Sequence, residues 1–191
     1  MEWKTKDGAY ESTAFADYTT FFQGIFDKTR LLDLIKNFLC FDKADGKAWK
    51  ILGAYHQYFA VNKALQRTFD AVKGDGKIGV FWHTQGSGKS FSMLFFTHLI
   101  IQHFAESTIM VVTDRKDLDQ QLFGQFGRCK DFLRTEPVNA TSRGELIELL
   151  KNRQSGGIIF TTIQKFEESE EPLSLRKNII VMTDEAHRSQ Y

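Results

Sequence analysis

The residues best suited to chemistry form a glycine-rich run that ends in lysine and serine, Gly86-Ser87-Gly88-Lys89-Ser90. Glycines let a backbone wrap closely around phosphate oxygens, and a helix starting at the lysine would add positive potential. The lysine ammonium can reach the β and γ phosphates of a nucleotide, and the serine hydroxyl can hold Mg²⁺. We therefore predict that this run, together with Thr84 and Gln85, binds ATP and Mg²⁺.

The flanks of this run have the patterns that a phosphate loop requires. Residues 78–82 are a short apolar run typical of a buried strand, and a helical pattern extends from Lys89 to about Phe104. The general pattern G-x-x-x-x-G-K-S/T has glycine where this chain has His83, which is a departure. The alternative is a glycine-rich turn that only caps a helix, but such a turn would not require both flanks.

A second candidate is the pair of adjacent carboxylates Asp184 and Glu185, which follows the apolar run from Ile179 to Thr183. Because side chains alternate along a strand, neighbouring acids at its exit can divide two roles. Asp184 would bind a water of Mg²⁺, while Glu185 would polarise the attacking water, a general-base contribution of about 10²–10⁴-fold. Alone, these acids would better suit a capped, solvated loop. Combined with the phosphate loop, they predict a hydrolysis site.

These residues need a scaffold, and the hydrophobic pattern predicts an α/β one. Short apolar runs suit strands buried on both faces, and helical segments lie between them. This alternation over roughly 110 residues predicts a parallel sheet flanked by helices, with ligands at the carboxyl ends of the strands. The predicted strands are 78–82, 108–112, 158–161 and 179–183; the predicted helices are 89–104, 115–126 and 143–151, the last with Ser142 and Glu145 at capping-box spacing.

Two amphipathic helices are predicted before the sheet. From Asp17 to Phe41 the apolar residues recur at helical spacing, and Thr29 is placed as an N-cap. A polar break over 42–47 precedes a second helix from about Ala54 to Val72. We therefore expect a helical segment over residues 1–50, followed by a nucleotide-binding domain over residues 51–191.

Composition limits the remaining classes of protein. The 191 residues, 42% of them hydrophobic, can bury a substantial core. Twenty-five lysines and arginines against 24 aspartates and glutamates leave a net charge of +1, so any nucleic-acid contact must be local. Cys40 and Cys129 match no zinc or disulfide framework. Since no run of about 18 apolar residues and no signal peptide is present, we expect a cytoplasmic protein without membrane contact.

The run Asp184-Glu185-Ala186-His187 resembles the DEAH box of superfamily 2 helicases and translocases, whose phosphate loops tolerate a residue other than glycine at the position of His83. Longer strings are similar to successive motor motifs of the restriction subunit of type I restriction and modification enzymes. These strings are YHQYFAVNKAL, FWHTQGSGKS, VVTDRKDLDQQ, FTTIQKF and TDEAHRSQY. The resemblance covers about residues 50 to 191 and implies a RecA-like lobe of the P-loop NTPase class. The string LLDLIKNFLCF is similar to the segment that joins an upstream nuclease domain to the motor.

The resemblance implies roles for residues outside the two main motifs. Gln57 matches a glutamine that reads adenine through its amide, although an exposed helix glutamine is the alternative. His187 would couple the nucleotide site to a second lobe. Thr113, Arg115 and Lys116 match a motif whose polar groups meet DNA phosphates, although a capped, charged helix start would look the same. Thr162 falls where a later motif offers further phosphate contacts, or where a strand ends in a turn.

The function that the resemblance implies is ATP-driven translocation along double-stranded DNA, in a complex with modification and specificity subunits. Such motors close ATP between two lobes, and the second supplies an arginine finger worth about 10³–10⁵ in rate. No second α/β set follows the acidic pair, so we expect a truncated first lobe that is weakly active alone, with the nuclease residues outside it. The alternatives are a strand-separating DNA or RNA helicase, a small-molecule kinase and a nucleotide-responsive scaffold.

Overall fold

The computed structural model describes residues 3–9, 18–114, 116–166 and 172–184. The chain divides into two compact units, Met1–Leu99 and Ile100–Tyr191. The first unit contains helices, an antiparallel hairpin and the phosphate-loop segment. Its elements are α1 (Tyr18–Ile25), α2 (Lys28–Asn37), β1 (Leu39–Ala44), β2 (Lys47–Leu52) and α3 (Tyr55–Lys73), and α4 (Lys89–His103) begins in it.

The single helix predicted from Asp17 to Phe41 is wrong. Asp27 interrupts it, because its carboxylate accepts a hydrogen bond from the Arg30 amide at 3.0 Å and caps α2, so that Asp27 rather than Thr29 is the N-cap. Beyond α2 the chain enters the hairpin β1–β2. Asp45 and Gly46 form the turn of this hairpin, with φ values of 52° and 71°. Two positive φ values in a two-residue turn match the right-handed twist of the flanking strands. The helical segment expected over residues 1–50 therefore contains a hairpin.

The strand predicted over residues 78–82 is also wrong. This segment pairs with no strand among the residues that the structure describes, and Val80 and Trp82 are 95% and 92% exposed. Gly79 has a φ of 133°, which interrupts the extended conformation that a strand requires. Residues 78–82 therefore have the apolar sequence of a buried strand but are neither paired with a strand among the described residues nor buried.

The second unit contains a four-stranded parallel sheet flanked by helices, in the order β4-β5-β3-β6. This confirms the predicted α/β class and a RecA-like arrangement. Every residue of β3 and β5 is buried, as their continuous apolar runs predict. The elements of this unit are β3 (Thr108–Thr113), α5 (Lys116–Arg128), α6 (Lys130–Leu133), β4 (Val138–Asn139), α7 (Arg143–Asn152), β5 (Ile158–Thr162), a 3₁₀ turn (Ile163–Lys165) and β6 (Ile179–Thr183).

The sheet of the second unit has an apolar layer on each face. One layer contains Met110 and Val112 of β3 and Ile159 of β5, packed with Leu146 and Leu150 of α7. On the other side, the Phe160 ring meets the rings of two phenylalanines of α5, Phe123 and Phe126, edge to face at centroid distances of 5.5 and 5.1 Å. Buried side chains on both faces favour a parallel sheet, because each strand then removes all of its apolar surface from water.

The predicted cap of α7 is present in a modified form. Ser142 Oγ accepts a hydrogen bond from the Glu145 amide at 3.2 Å. The Glu145 carboxylate accepts from the amide and the hydroxyl of Thr141, at 2.7 and 2.6 Å, rather than from the amide of the cap residue. The hydrogen bonds from Thr141 hold the pKa of Glu145 below its ordinary value. No helix among the described residues is both long and apolar enough to cross a membrane.

Residues 3–9 pack against the helices of the first unit. Trp3 is fully buried, and its ring lies 6.0 to 6.3 Å from the rings of Tyr55, Tyr58 and Phe59 on α3. The Arg30 guanidinium lies 5.2 Å from the Phe59 ring and donates to the carbonyl oxygens of Gly24 and Lys6. The N-terminal segment is therefore part of the packed unit.

Replacing Gly24 by alanine should test this packing, since the added Cβ would lie 2.1 Å from Trp3 Cδ1. We expect Gly24→Ala to lower the free energy of unfolding by about 1–3 kcal/mol, as overpacking does. The matched control is Gly124→Ala within α5, where the nearest atom is the end of a flexible arginine at 3.6 Å. That change should be neutral or stabilise by about 0.5–1 kcal/mol. Urea unfolding measures both, and equal effects would show that Trp3 does not pack against Gly24.

Candidate functional site

The phosphate-loop segment approaches α4 through two glycines with left-handed backbone geometry. Gly86 and Gly88 both have a φ of 79°, a conformation that residues with a Cβ rarely adopt. The Ser87 amide donates to the Thr84 carbonyl oxygen at 3.3 Å and closes the turn. Because α4 begins at Lys89, the amides of its first turn have no acceptor within the helix and can donate to an anion.

The lysine and serine that follow the loop lie on the first turn of α4, and both are half-buried. Lys89 Nζ donates to the His83 carbonyl oxygen at 3.2 Å, so its side chain extends from the helix back to the beginning of the loop. The residues present fit a nucleoside phosphate, since they combine unpaired helix amides with an ammonium group. Thr84 and Gln85 are exposed at the outer side of the turn.

The beginning of α3 holds the phosphate loop through Gln57. Gln57 Oε1 accepts from the Ala54 amide at 2.9 Å, and Gln57 Nε2 donates to the Gly88 carbonyl oxygen at 2.9 Å. The side chain is only 6% exposed, so the alternative of an exposed helix glutamine does not apply. Gln57 therefore joins the N-terminus of α3 to the loop, and its contact with adenine stays a prediction.

Two histidines that the sequence does not single out as ligands lie beside the loop. His56 Nε2 is 3.1 Å from the Ser87 carbonyl oxygen, and because a carbonyl only accepts, the imidazole is the donor. The rings of His56 and His83 stack with their centroids 4.6 Å apart, and the Phe81 ring lies 6.2 Å from that of His83. The signals that could have identified them are the position of His56 directly before Gln57 and the departure from glycine at His83.

The surroundings of His83 disfavour its protonated form. Burial lowers the pKa of His83 below its ordinary value, and the neighbouring His56 and the Lys89 ammonium lower it further. The resulting contribution to stability is fully present above the ordinary histidine pKa and is lost as the pH falls through the lowered value. The neutral form of His83 is therefore favoured beside the lysine that is predicted to contact phosphates.

The acidic strand end belongs to the second unit. Asp184 follows β6, is half-buried, and donates its amide to the Val112 carbonyl oxygen at 2.9 Å, which extends the pairing of β6 with β3. Glu185 and His187 lie outside the described residues, and their predicted roles stay predictions. Among the described residues no group of three or more metal-binding side chains is present. The contacts with Mg²⁺ that are predicted for Ser90 and Asp184 stay predictions.

Two of the residues predicted to contact DNA are buried. Thr113 and Thr162, at the ends of β3 and β5, are 1% and 2% exposed, so the geometry gives no support to DNA contacts by their side chains. Arg115 and the side chain of Lys116 lie outside the described part of the chain, although Lys116 begins α5. The DNA contacts of these residues stay predictions.

The hydroxyl of Thr113 is used inside the unit instead. It donates to Asp119 Oδ1 at 3.3 Å, and Asn139 Nδ2 donates to Asp119 Oδ2 at 2.6 Å. The Asp119 carboxylate, 4% exposed, thus joins the end of β3 to β4 and α5. Sequence reasoning missed this network, because an aspartate four residues inside a charged helix start has the pattern of a surface position.

Together, the parallel sheet flanked by helices and the Gly-Ser-Gly-Lys-Ser loop at the N-terminus of α4 define a nucleotide-binding α/β protein of the P-loop class. The SWI2/SNF2 ATPase family matches residues 56–191. The chain belongs to this family.

Similar proteins include endonuclease subunits of type I restriction enzymes. The type I restriction enzyme HindI endonuclease subunit of Haemophilus influenzae is 45% identical, over 99% of this chain and 19% of the relative. A protein of Methanocaldococcus jannaschii named "Putative type I restriction enzyme MjaIXP endonuclease subunit" is 36% identical, over 95% of this chain and 18% of the relative. The chain thus spans about a fifth of the length of these relatives. The predicted resemblance to the restriction subunit is confirmed.

Removing the Lys89 ammonium should raise the pKa of His83, because one of the charges that oppose its protonation is lost. Titration of the histidine ring signals by NMR measures this, with Lys89→Ala compared against the wild type. The matched control is Lys73→Ala at the other end of α3, roughly 25 Å along the helix from His56. A pKa of His83 that stays the same in Lys89→Ala would show that the ammonium does not lie beside the ring.

Proposed function

We propose that this chain is the ATP-binding part of the first motor lobe of a type I restriction endonuclease subunit, and that it drives translocation of double-stranded DNA before cleavage. The observation that carries the proposal is the position of Lys89, on the first turn of α4 with its ammonium drawn back to the beginning of a glycine loop. Homology to restriction endonuclease subunits over nearly the whole chain supports the biological setting.

The residues of the loop divide the binding of a nucleoside triphosphate among them. The amides at the start of α4 donate to phosphate oxygens, and Lys89 balances the charge of the β and γ phosphates. Ser90 would hold Mg²⁺ and Asp184 would bind one of its waters, and the bound ion would supply positive charge beside the phosphates. Glu185 orients and polarises the attacking water, and Gln57, already in contact with the loop, reads the adenine.

The proposed nucleic-acid partner is double-stranded DNA, contacted locally because the net charge of the chain is only +1. Arg115 and Lys116 provide phosphate contacts at the beginning of α5. The resemblance adds Thr113 and Thr162 to these contacts, although their side chains are buried. His187 couples the nucleotide site to a second lobe. The protein works with modification and specificity subunits, residues 1–50 join the lobe to a nuclease domain, and residues 51–191 are the lobe itself.

The proposed compartment is the cytoplasm. Cys40 and Cys129 are both buried and are not joined in a disulfide, which fits a reducing environment. Buried thiols of this kind behave as small apolar side chains and add to the packing of each unit.

The proposal predicts that ATP hydrolysis by the full-length protein with its partner subunits depends on duplex DNA and on Lys89. Lys89→Ala should lower the rate at least about 100-fold, because it removes a charge that stabilises the developing negative phosphate. Lys73→Ala, an exposed lysine at the end of α3, is the matched control and should leave the rate unchanged. A phosphate-release assay with duplex DNA, single strands or RNA measures the dependence.

The possible outcomes of this assay, and of a strand-displacement assay beside it, distinguish the proposed function from the alternatives. Stimulation mainly by RNA or single strands, with displacement of an annealed strand, would favour a helicase. Binding of ATP without hydrolysis in the assembled protein would favour a nucleotide-responsive scaffold. Displacement of a third strand from duplex DNA, without separation of the duplex, would support translocation.

A further inference from the structure

We propose that His56 is a positioning residue for the phosphate loop, because it holds the loop at two points, the Ser87 carbonyl oxygen by a hydrogen bond and the His83 ring by stacking. This inference rests on the proposed function, since it concerns how the loop presents its donors to a nucleotide. It adds a residue of α3 that the motif pattern of the loop does not contain.

The hydrogen bonds from α3 reach two consecutive peptide groups of the loop. His56 donates to the Ser87 carbonyl oxygen at 3.1 Å, and the next residue, Gln57, donates to the Gly88 carbonyl oxygen at 2.9 Å. Both donors lie on the first turn of a 19-residue helix, which gives them a rigid base. Two adjacent carbonyls are thus fixed by two adjacent residues.

Fixing a carbonyl oxygen also fixes the amide of the next residue. In a planar trans peptide group the C=O and N–H bonds point in opposite directions. When His56 holds the Ser87 carbonyl toward α3, the Gly88 amide must point away from α3. The Gly88 carbonyl oxygen accepts from Gln57 Nε2 at 2.9 Å and from the Ser92 amide of α4 at 3.1 Å, and these two bonds together fix the direction of the Lys89 amide. The two contacts therefore preorganise consecutive amide donors for an anion on the opposite side of the loop.

The stacked rings connect His56 to the lysine by a second route. His83 lies against the His56 ring at a centroid distance of 4.6 Å, and the His83 carbonyl oxygen accepts from Lys89 Nζ at 3.2 Å. A glycine at position 83, as in the general phosphate-loop pattern, would have no ring to place against His56. Histidine in place of glycine at position 83 thus has a physical role, because its stacked ring fixes the residue whose carbonyl oxygen accepts from Lys89 Nζ.

Two substitutions of His56 separate the contacts. His56→Phe keeps a ring that can stack on His83 but loses the donor to Ser87, whereas His56→Gln keeps an N–H donor of similar reach without the ring. In the full-length protein we expect His56→Phe to weaken the binding of ATP and ADP about 5- to 10-fold, the loss of roughly one hydrogen bond, and His56→Gln to restore part of that loss. The binding of adenosine, which has no phosphate, should be unchanged in both variants.

Calorimetric titration with ATP, ADP and adenosine measures these affinities, and thermal unfolding of each variant measures its stability. A loss that is equal for ATP and adenosine, or no loss for either, would overturn the positioning role, because a residue that only stabilises the fold does not distinguish phosphates. Absence of ATP binding in the wild type, with Lys89→Ala indistinguishable from it, would instead overturn the proposed function.

A double-mutant cycle tests the second route. His83→Gly should weaken ATP binding in the wild type but have little further effect in His56→Leu, where the stack is already absent. Additive losses in the double variant would show that the two rings act independently and would overturn this part of the proposal. His83→Phe, which keeps a ring that can stack on His56, should lose less ATP affinity than His83→Gly.

Discussion

The hydrogen bond from the Gln57 amide to the Gly88 carbonyl oxygen is the contact on which the candidate site depends. A glycine loop without such a partner could adopt many conformations, because glycine restricts the backbone least of all residues. Here the buried amide of Gln57 joins the loop to the capped beginning of α3, at Ala54. This buried contact thereby orders a loop that its glycines alone would leave variable, and it fixes the peptide group directly before Lys89.

In the second unit, hydrogen bonds of buried polar groups fix the carboxyl ends of the strands. Asp119 accepts hydrogen bonds from Thr113 and Asn139 and joins β3, β4 and α5, while the Asp184 amide extends β6 onto β3. A buried carboxylate is expensive unless it is hydrogen-bonded, so these donors and the acid depend on each other. The strand ends are therefore fixed by hydrogen bonds as well as by apolar packing.

Much of the fold follows from local pattern, and the exceptions follow from contacts that local pattern does not encode. The fully buried strands β3 and β5 and the capped helix α7 lie where continuous apolar runs and a serine cap predict them. The hairpin β1–β2 was missed because cross-strand pairing, rather than periodicity, forms it around Asp45 and Gly46. Lys89 and Ser90 were identifiable as candidate site residues from spacing alone, whereas His56 contacts a residue 31 positions away.

The two left-handed glycines of the loop differ in how freely they could change during evolution. At Gly86 an added methyl group would meet nothing within 4 Å, so only the torsional strain opposes a substitution. At Gly88 the same strain is present, and the methyl group would also lie 2.8 Å from Gln57 Nε2. A substitution at position 88 must therefore displace the Gln57 side-chain amide from its hydrogen bond in addition to the backbone strain. At position 86 an asparagine or aspartate, which tolerates this backbone geometry, would meet open space. The residues that this loop can accept are therefore limited by the side chains packed against it as well as by its backbone geometry.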